Sequence, residues 1–205
     1  RINGIAIQRD GKIVAAGYSS ETGHNNRQIT VVRYTTAGKL DTSFGPVASG
    51  KTVIDVGTSD DQANDIIQGA AGSLLVAGSA GGHFGIVGLT PDGQLDKSFD
   101  RDGKTHTTMV RTSMLYSLAL QPDGKIIAGG TMFRSGHGTD LLLRRYNSNG
   151  VEDNTLRNGS LRESPAIEIS QLGIGANLVG IGIGLDFLLQ LGERELGIFL
   201  LRFDE

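Results

Sequence analysis

The chain has 205 residues, with 31 glycines, four prolines, no cysteine, 20% charged residues and a formal net charge of −3. That length is enough to bury a sizeable core, the composition excludes a disordered linker, and the lack of cysteine excludes disulfides and thiolate metal sites. Lys and Arg are scattered along an acidic chain, so neither nucleic acid nor an anionic membrane surface is an expected partner.

Ile5-Ala6-Ile7 reads as a short apolar strand and Arg9-Asp10-Gly11-Lys12 as a turn, because Asp-Gly is favoured in two-residue hairpins. Residues 13–17 predict a second strand, whose Ala15, Ala16 and Gly17 let neighbouring sheets approach closely. A polar loop over 19–27 leads to a third strand over 29–34. The turn around Gly38 precedes Leu40-Asp41-Thr42-Ser43-Phe44, and a fourth strand is expected over 51–56.

The phrase at 8–17 returns at 121–130, where Asp123-Gly124 repeats Asp10-Gly11, and a looser copy occupies 68–78. Arg33-Tyr34 returns as Arg145-Tyr146 and Arg202-Phe203, with Leu89 in the same phase, at intervals of 55 to 57 residues. A fixed period of this size marks one structural unit stacked repeatedly, and four short strands per unit is the arithmetic of a β-propeller blade. No segment carries a sustained helical period. The expected fold is all-β: a propeller, or propeller-like arc, of four four-stranded antiparallel blades in a single domain. The repeats fall near 1–58, 59–112, 113–163 and 164–205. The last is divergent and one strand short, giving fifteen strands in all.

Residues 172–192 carry one charge, Asp186, and approach the length of a membrane span. Six glycines, Asn177 and Gln190 within them, together with the repeat phase, favour a fourth repeat instead, and no span is expected. The chain opens on Arg1 without Met or leader and stops at Glu205 short of a strand, so a mature product or a fragment is expected. The unclosed last blade offers a place for self-association.

These residues resemble the delta-60 β-propeller repeats of bacterial secreted and cell-surface proteins. The resemblance rests on Gln121-Pro122-Asp123-Gly124-Lys125-Ile126, on Val32-Arg33-Tyr34, on Leu40-Asp41-Thr42-Ser43-Phe44-Gly45 and on Pro91-Asp92-Gly93-Gln94-Leu95-Asp96-Lys97-Ser98-Phe99. It covers residues 4 to 155 and thins beyond them. It implies a propeller and a secreted or surface location, and it brings no catalytic activity.

Asp41, Asp96 and Asp153 each follow a turn glycine by three positions, and Arg33, Arg145 and Arg202 recur in the third strand, with Gly88 breaking that series. A carboxylate and a guanidinium repeated once per unit could line a channel for a charged ligand. The structural alternative is that each Asp caps its turn or pairs with the Arg of its own blade.

His24, His83 and His137 fall in the loops between second and third strands of successive repeats, with Arg134 just ahead of His137. Those loops share one face of a propeller, so these four are the candidate ligand-binding residues. No cofactor is expected, and a divalent metal is the ion that converging imidazoles would take. The alternative is that they are solvated loop residues.

Asp100-Arg101-Asp102-Gly103 resembles the start of a calcium loop but lacks the later ligands, so a plain turn is expected. Asp60, Asp61 and Asp65 lie on a connection between blades, on the histidine face. No nucleophile or zinc-protease motif is present, and no catalytic residue is assigned. The expected function is a non-enzymatic binding or scaffolding module of an exported or surface bacterial protein, taking a protein or glycan ligand. The alternative is a carbohydrate-active hydrolase or lyase with its site at the mouth of the central channel.

Overall fold

The computed structural model describes residues 1–20, 27–56, 60–80, 83–106, 113–134, 138–155, 176–180, 187–191 and 195–196. Among them are fourteen strands and one 3₁₀ turn, Ala70–Gly72. The chain divides into two compact units, Arg1–Leu120 with Gly124–Glu163, and Gln121–Asp123 with Ser164–Glu205.

The first unit holds three antiparallel sheets. Strands β1 (Ile2–Ile7), β2 (Ile13–Ser20), β3 (Arg27–Tyr34) and β4 (Lys51–Ile54) form the first, in chain order. β5 (Gln62–Gln68), β6 (Leu74–Ala80), β7 (His83–Leu89) and β8 (Lys104–His106) repeat that order in the second. β9 (Ser113–Leu120), β10 (Ile126–Arg134) and β11 (Gly138–Tyr146) make the third, whose expected outer strand lies outside the described residues. The fold is therefore all-β, built of successive meander sheets packed as propeller blades. In the second unit, β12 (Ala176–Gly180), β13 (Phe187–Leu191) and β14 (Glu195–Leu196) form a three-stranded antiparallel sheet. Two of these strands occupy the apolar stretch at 172–192. No helix among the described residues is long and apolar enough to cross a membrane.

The apolar run of β6 explains how the sheets stack. Leu74 and Val76 enter one core with Val14, Val31 and Phe44 of the first repeat. Leu75 and Ala77 point the other way, into a second core with Leu115, Ile126 and Tyr146 of the third. Alternate side chains of one strand thus serve two interfaces, which is why Leu74 to Ala77 run apolar instead of alternating with polar residues.

The first strand of each sheet in the first unit carries a bulge. The pairing of β1 with β2 skips Asn3, that of β5 with β6 skips Asn64, and that of β9 with β10 skips Tyr116. Opposite each bulge stands a glycine, Gly17, Gly78 or Gly130, where a Cβ would collide with the carbonyl oxygen of Arg1, Gln62 or Met114. At the first two bulges the extra residue reaches the next sheet. Asn3 Nδ2 donates to the Ala63 carbonyl at 2.7 Å, and Asn64 Nδ2 to that of Leu115 at 2.6 Å.

The turn between β1 and β2 differs from the expected two-residue hairpin. Gly11 N–H donates to the Gln8 carbonyl, and Gln8 N–H to that of Lys12, so three residues form the loop. Only Gly11 needs positive φ, at 81°, while Asp10 caps the turn by accepting the Lys12 N–H at 3.1 Å. This is the type I turn closed by a left-handed glycine, the next commonest hairpin loop. The Thr35 to Lys39 turn is built the same way around Gly38.

Candidate functional site

The recurring charged residues meet where the third strand of a sheet faces its following turn. Arg33 Nε donates to Asp41 Oδ2 at 2.9 Å, and both side chains are nearly enclosed, 7% and 10% exposed. A second guanidinium N–H donates to the Pro91 carbonyl of the next repeat at 2.7 Å, and a third reaches Ser43 Oγ at 3.3 Å. The Phe44 ring lies 4.6 Å beneath the guanidinium carbon. Lys12 Nζ adds a second cation 3.2 Å from Asp41 Oδ2. The Ser43 hydroxyl and N–H occupy Oδ1. The Ser43 hydroxyl bond, with Lys12, the Ser43 N–H and Arg33, holds the Asp41 carboxyl far below the usual carboxylate range, despite its burial.

The third repeat reproduces the arrangement. Arg145 Nε and Lys125 Nζ both lie 3.0 Å from Asp153 Oδ2, and the Thr155 hydroxyl and N–H bind Oδ1 at 2.6 and 2.9 Å. Asp153 is likewise depressed, chiefly by the Thr155 hydroxyl and N–H and then by Lys125 and Arg145. Sequence periodicity pointed to the Asp and Arg. The Lys and the hydroxyl residue also recur, in Asp-Gly-Lys and in Asp-x-Ser/Thr, and that periodicity marks them as partners of the Asp.

The second repeat departs from this pattern. Gly88 stands at the arginine position and Ser73 at the lysine position, while Asp96 remains. Ser98 still donates its N–H and hydroxyl to Asp96 Oδ1, at 2.9 and 2.6 Å, but among the described residues no basic side chain reaches Asp96. Phe99 leans onto the bare backbone, its Cγ 2.6 Å from where a Cβ at Gly88 would be. A cavity of about 50 Å³ remains, bordered by Ser73, Gly88, Asp96, Phe99, Leu120 and Ser148.

Of the histidine-face residues, His83 is exposed at the start of β7, paired with Ala80 in the ladder. His24 and His137 lie outside the described residues, as does the side chain of Arg134, whose backbone pairs with Gly138. Arg202 is also outside them. Asp60 and Asp61 are engaged locally: Asp60 Oδ1 accepts the Arg27 N–H at 2.9 Å, and Asp61, fully buried, accepts the Val56 N–H at 2.6 Å. Asp65 Oδ2 accepts the Leu118 N–H of the next sheet at 2.8 Å. The segment at 100–103 is a turn in which Asp100 and Arg101 take positive φ and Asp102 caps the Lys104 N–H at 2.9 Å. Among the described residues no three His, Asp or Glu side chains group as metal ligands.

A family described as "Domain of unknown function (DUF5122) beta-propeller" matches the chain at residues 8–44, 72–99 and 121–156. Each match spans the Asp-bearing turn and the third strand of one sheet. No curated protein matches the chain. Three segments of the chain thus match the DUF5122 β-propeller domain, a family of unknown function.

Proposed function

We propose that the chain is a non-enzymatic binding or scaffolding module of an exported or cell-surface bacterial protein. The observation that carries this reading is the employment of the repeated charges. Asp41 and Asp153, the enclosed carboxylates of the repeat, are saturated by an Arg, a Lys and a hydroxyl from their own sheet. A carboxylate held this far below neutral, with its lone pairs occupied, is a poor general acid or base. Its partners lock turn to strand instead. The resemblance to delta-60 repeats supports the extracytoplasmic location.

The test is a paired screen of the full chain, on a glycan array and against a panel of oligosaccharide substrates. Saturable binding without turnover is the expected result. Release of reducing ends or of unsaturated products would overturn the reading in favour of a carbohydrate-active enzyme.

A further inference from the structure

The geometry points to a guanidinium-binding seat beside Asp96, formed where the second repeat has lost its own arginine. It gives the binding reading a ligand class, and it rests on that reading.

The first repeat shows what such a seat requires. Arg33 is held by the Asp41 carboxylate, the Pro91 carbonyl of the next turn and the Phe44 ring. The turn register fixes the equivalents one repeat later. Gly93 N–H donates to Thr90 and Gly150 N–H to Asn147, so Ser148 stands where Pro91 stands. Gly45 N–H donates to the Asp92 carbonyl as Asp100 N–H does to that of Asn149. Thr52 Oγ1 binds the Gly93 carbonyl as Thr105 Oγ1 binds that of Gly150. Asp96, Ser148 and Phe99 are therefore the second repeat's copies of the three groups that hold Arg33. All three border the same cavity.

Among the described residues, none of the second repeat's own side chains takes the place of Arg33 or Lys12. Gly88 offers no side chain, and the Phe99 ring blocks any that started there. Ser73 is too short to act as Lys12 does. Entry from solvent remains, since Leu120 and Ser148 at the border are exposed. At about 50 Å³ the space holds three to five waters at ~10–15 Å³ each, a volume suited to one planar group. A carboxylate, a backbone carbonyl set apart from it and an aromatic wall favour a flat, forked cation over a compact ammonium. The ligand class is accordingly a guanidinium, carried by free arginine or by an arginine side chain of a polypeptide.

The experiment is an amide-resonance NMR titration of the ¹⁵N-labelled full chain with millimolar methylguanidinium, L-arginine and a capped Gly-Arg-Gly peptide. Ethylammonium is the control. Saturable shifts are expected at Asp96, Phe99 and Ser148 with the guanidinium probes, and at least about tenfold weaker binding of ethylammonium. A peptide that binds more tightly than arginine identifies a polypeptide ligand, and the reverse a small molecule. Ser73→Lys supplies the missing internal cation and should abolish the shifts, as should Asp96→Asn. The Ser73→Lys result stands alone if Asp96→Asn disturbs the turn. No saturable shift, equal binding of ethylammonium, or undiminished binding by Ser73→Lys would overturn the seat. Such a failure leaves glycan binding intact, whereas substrate turnover would overturn the binding reading and leave these shifts unchanged.

Discussion

Phe99 sits against the turn glycine of the next repeat, with its Cε1 2.8 Å from where a Cβ on Gly150 would be. Phe44 does the same to Gly93 one repeat earlier. Each aromatic is fixed by the Asp turn of its own sheet and packs on the hairpin turn of the following one. The relationship passes stacking order from sheet to sheet, and it requires glycine twice over, for positive φ and for the absence of a Cβ.

Two glycine substitutions separate those requirements. Gly38 has φ of 75° with nothing near its missing Cβ, whereas Gly93 has φ of 87° with Phe44 against it. Gly38→Ala should cost roughly 1–2 kcal/mol, the left-handed penalty alone. Gly93→Ala should cost clearly more, because the buried ring must move as well. Urea unfolding of both variants measures the difference, and equal costs would remove the Phe44 contact as a stacking element.

Loss of Arg33 should be severe. Replacing it by Ala leaves Asp41 enclosed without its guanidinium, and breaking a buried pair typically costs about 3–5 kcal/mol. Lys12 and the hydroxyl of Ser43 place this site toward the lower end. Chemical denaturation of Arg33→Ala gives the number, and a cost below about 1 kcal/mol would mean that the pair holds little.

The same carboxylates predict acid sensitivity. Asp41 and Asp153 are depressed in the folded chain, so the unfolded chain takes up protons first as pH falls. Their stabilisation is complete above the unfolded aspartate value near 4 and is lost progressively below it. Melting temperature should therefore drop steeply below about pH 4. A chain carrying Asp41→Asn and Asp153→Asn should be less stable at neutral pH, with a flatter acid limb.

The bulged asparagines are a smaller lock. Asn64→Ala removes one donor to the Leu115 carbonyl and should cost about 1 kcal/mol. Its specific signature is faster hydrogen exchange at the paired amides of β9. Unchanged protection there would assign the bulge a purely local role.

Much of this fold was legible in the chain. The strands of the first repeat appear where apolar runs and turn residues placed them, because Ile13 to Gly17 and Ile29 to Tyr34 serve local pairing and core burial at once. The Asp-Gly turn differs in type from the expected hairpin, because the dipeptide signals a left-handed glycine but does not fix the number of loop residues. Asn3 and Asn64 were missed because a bulge shifts the period by one residue and hides the polar side chain that crosses to the next sheet. Gly88 was noticed as a break in the arginine series. The cavity beside it was not, since it depends on Ser73, Asp96 and Ser148 meeting across two repeats.

The central claim is that the regular charges hold the repeat together and that binding resides where the regularity lapses. A double-mutant cycle on Arg33→Ala and Asp41→Asn, read by denaturant unfolding, tests it most directly. The account predicts strong coupling, about 1–3 kcal/mol, with the guanidinium titration at Asp96 unchanged in each folded variant. Additive costs within about 0.5 kcal/mol, together with loss of that titration, would contradict it.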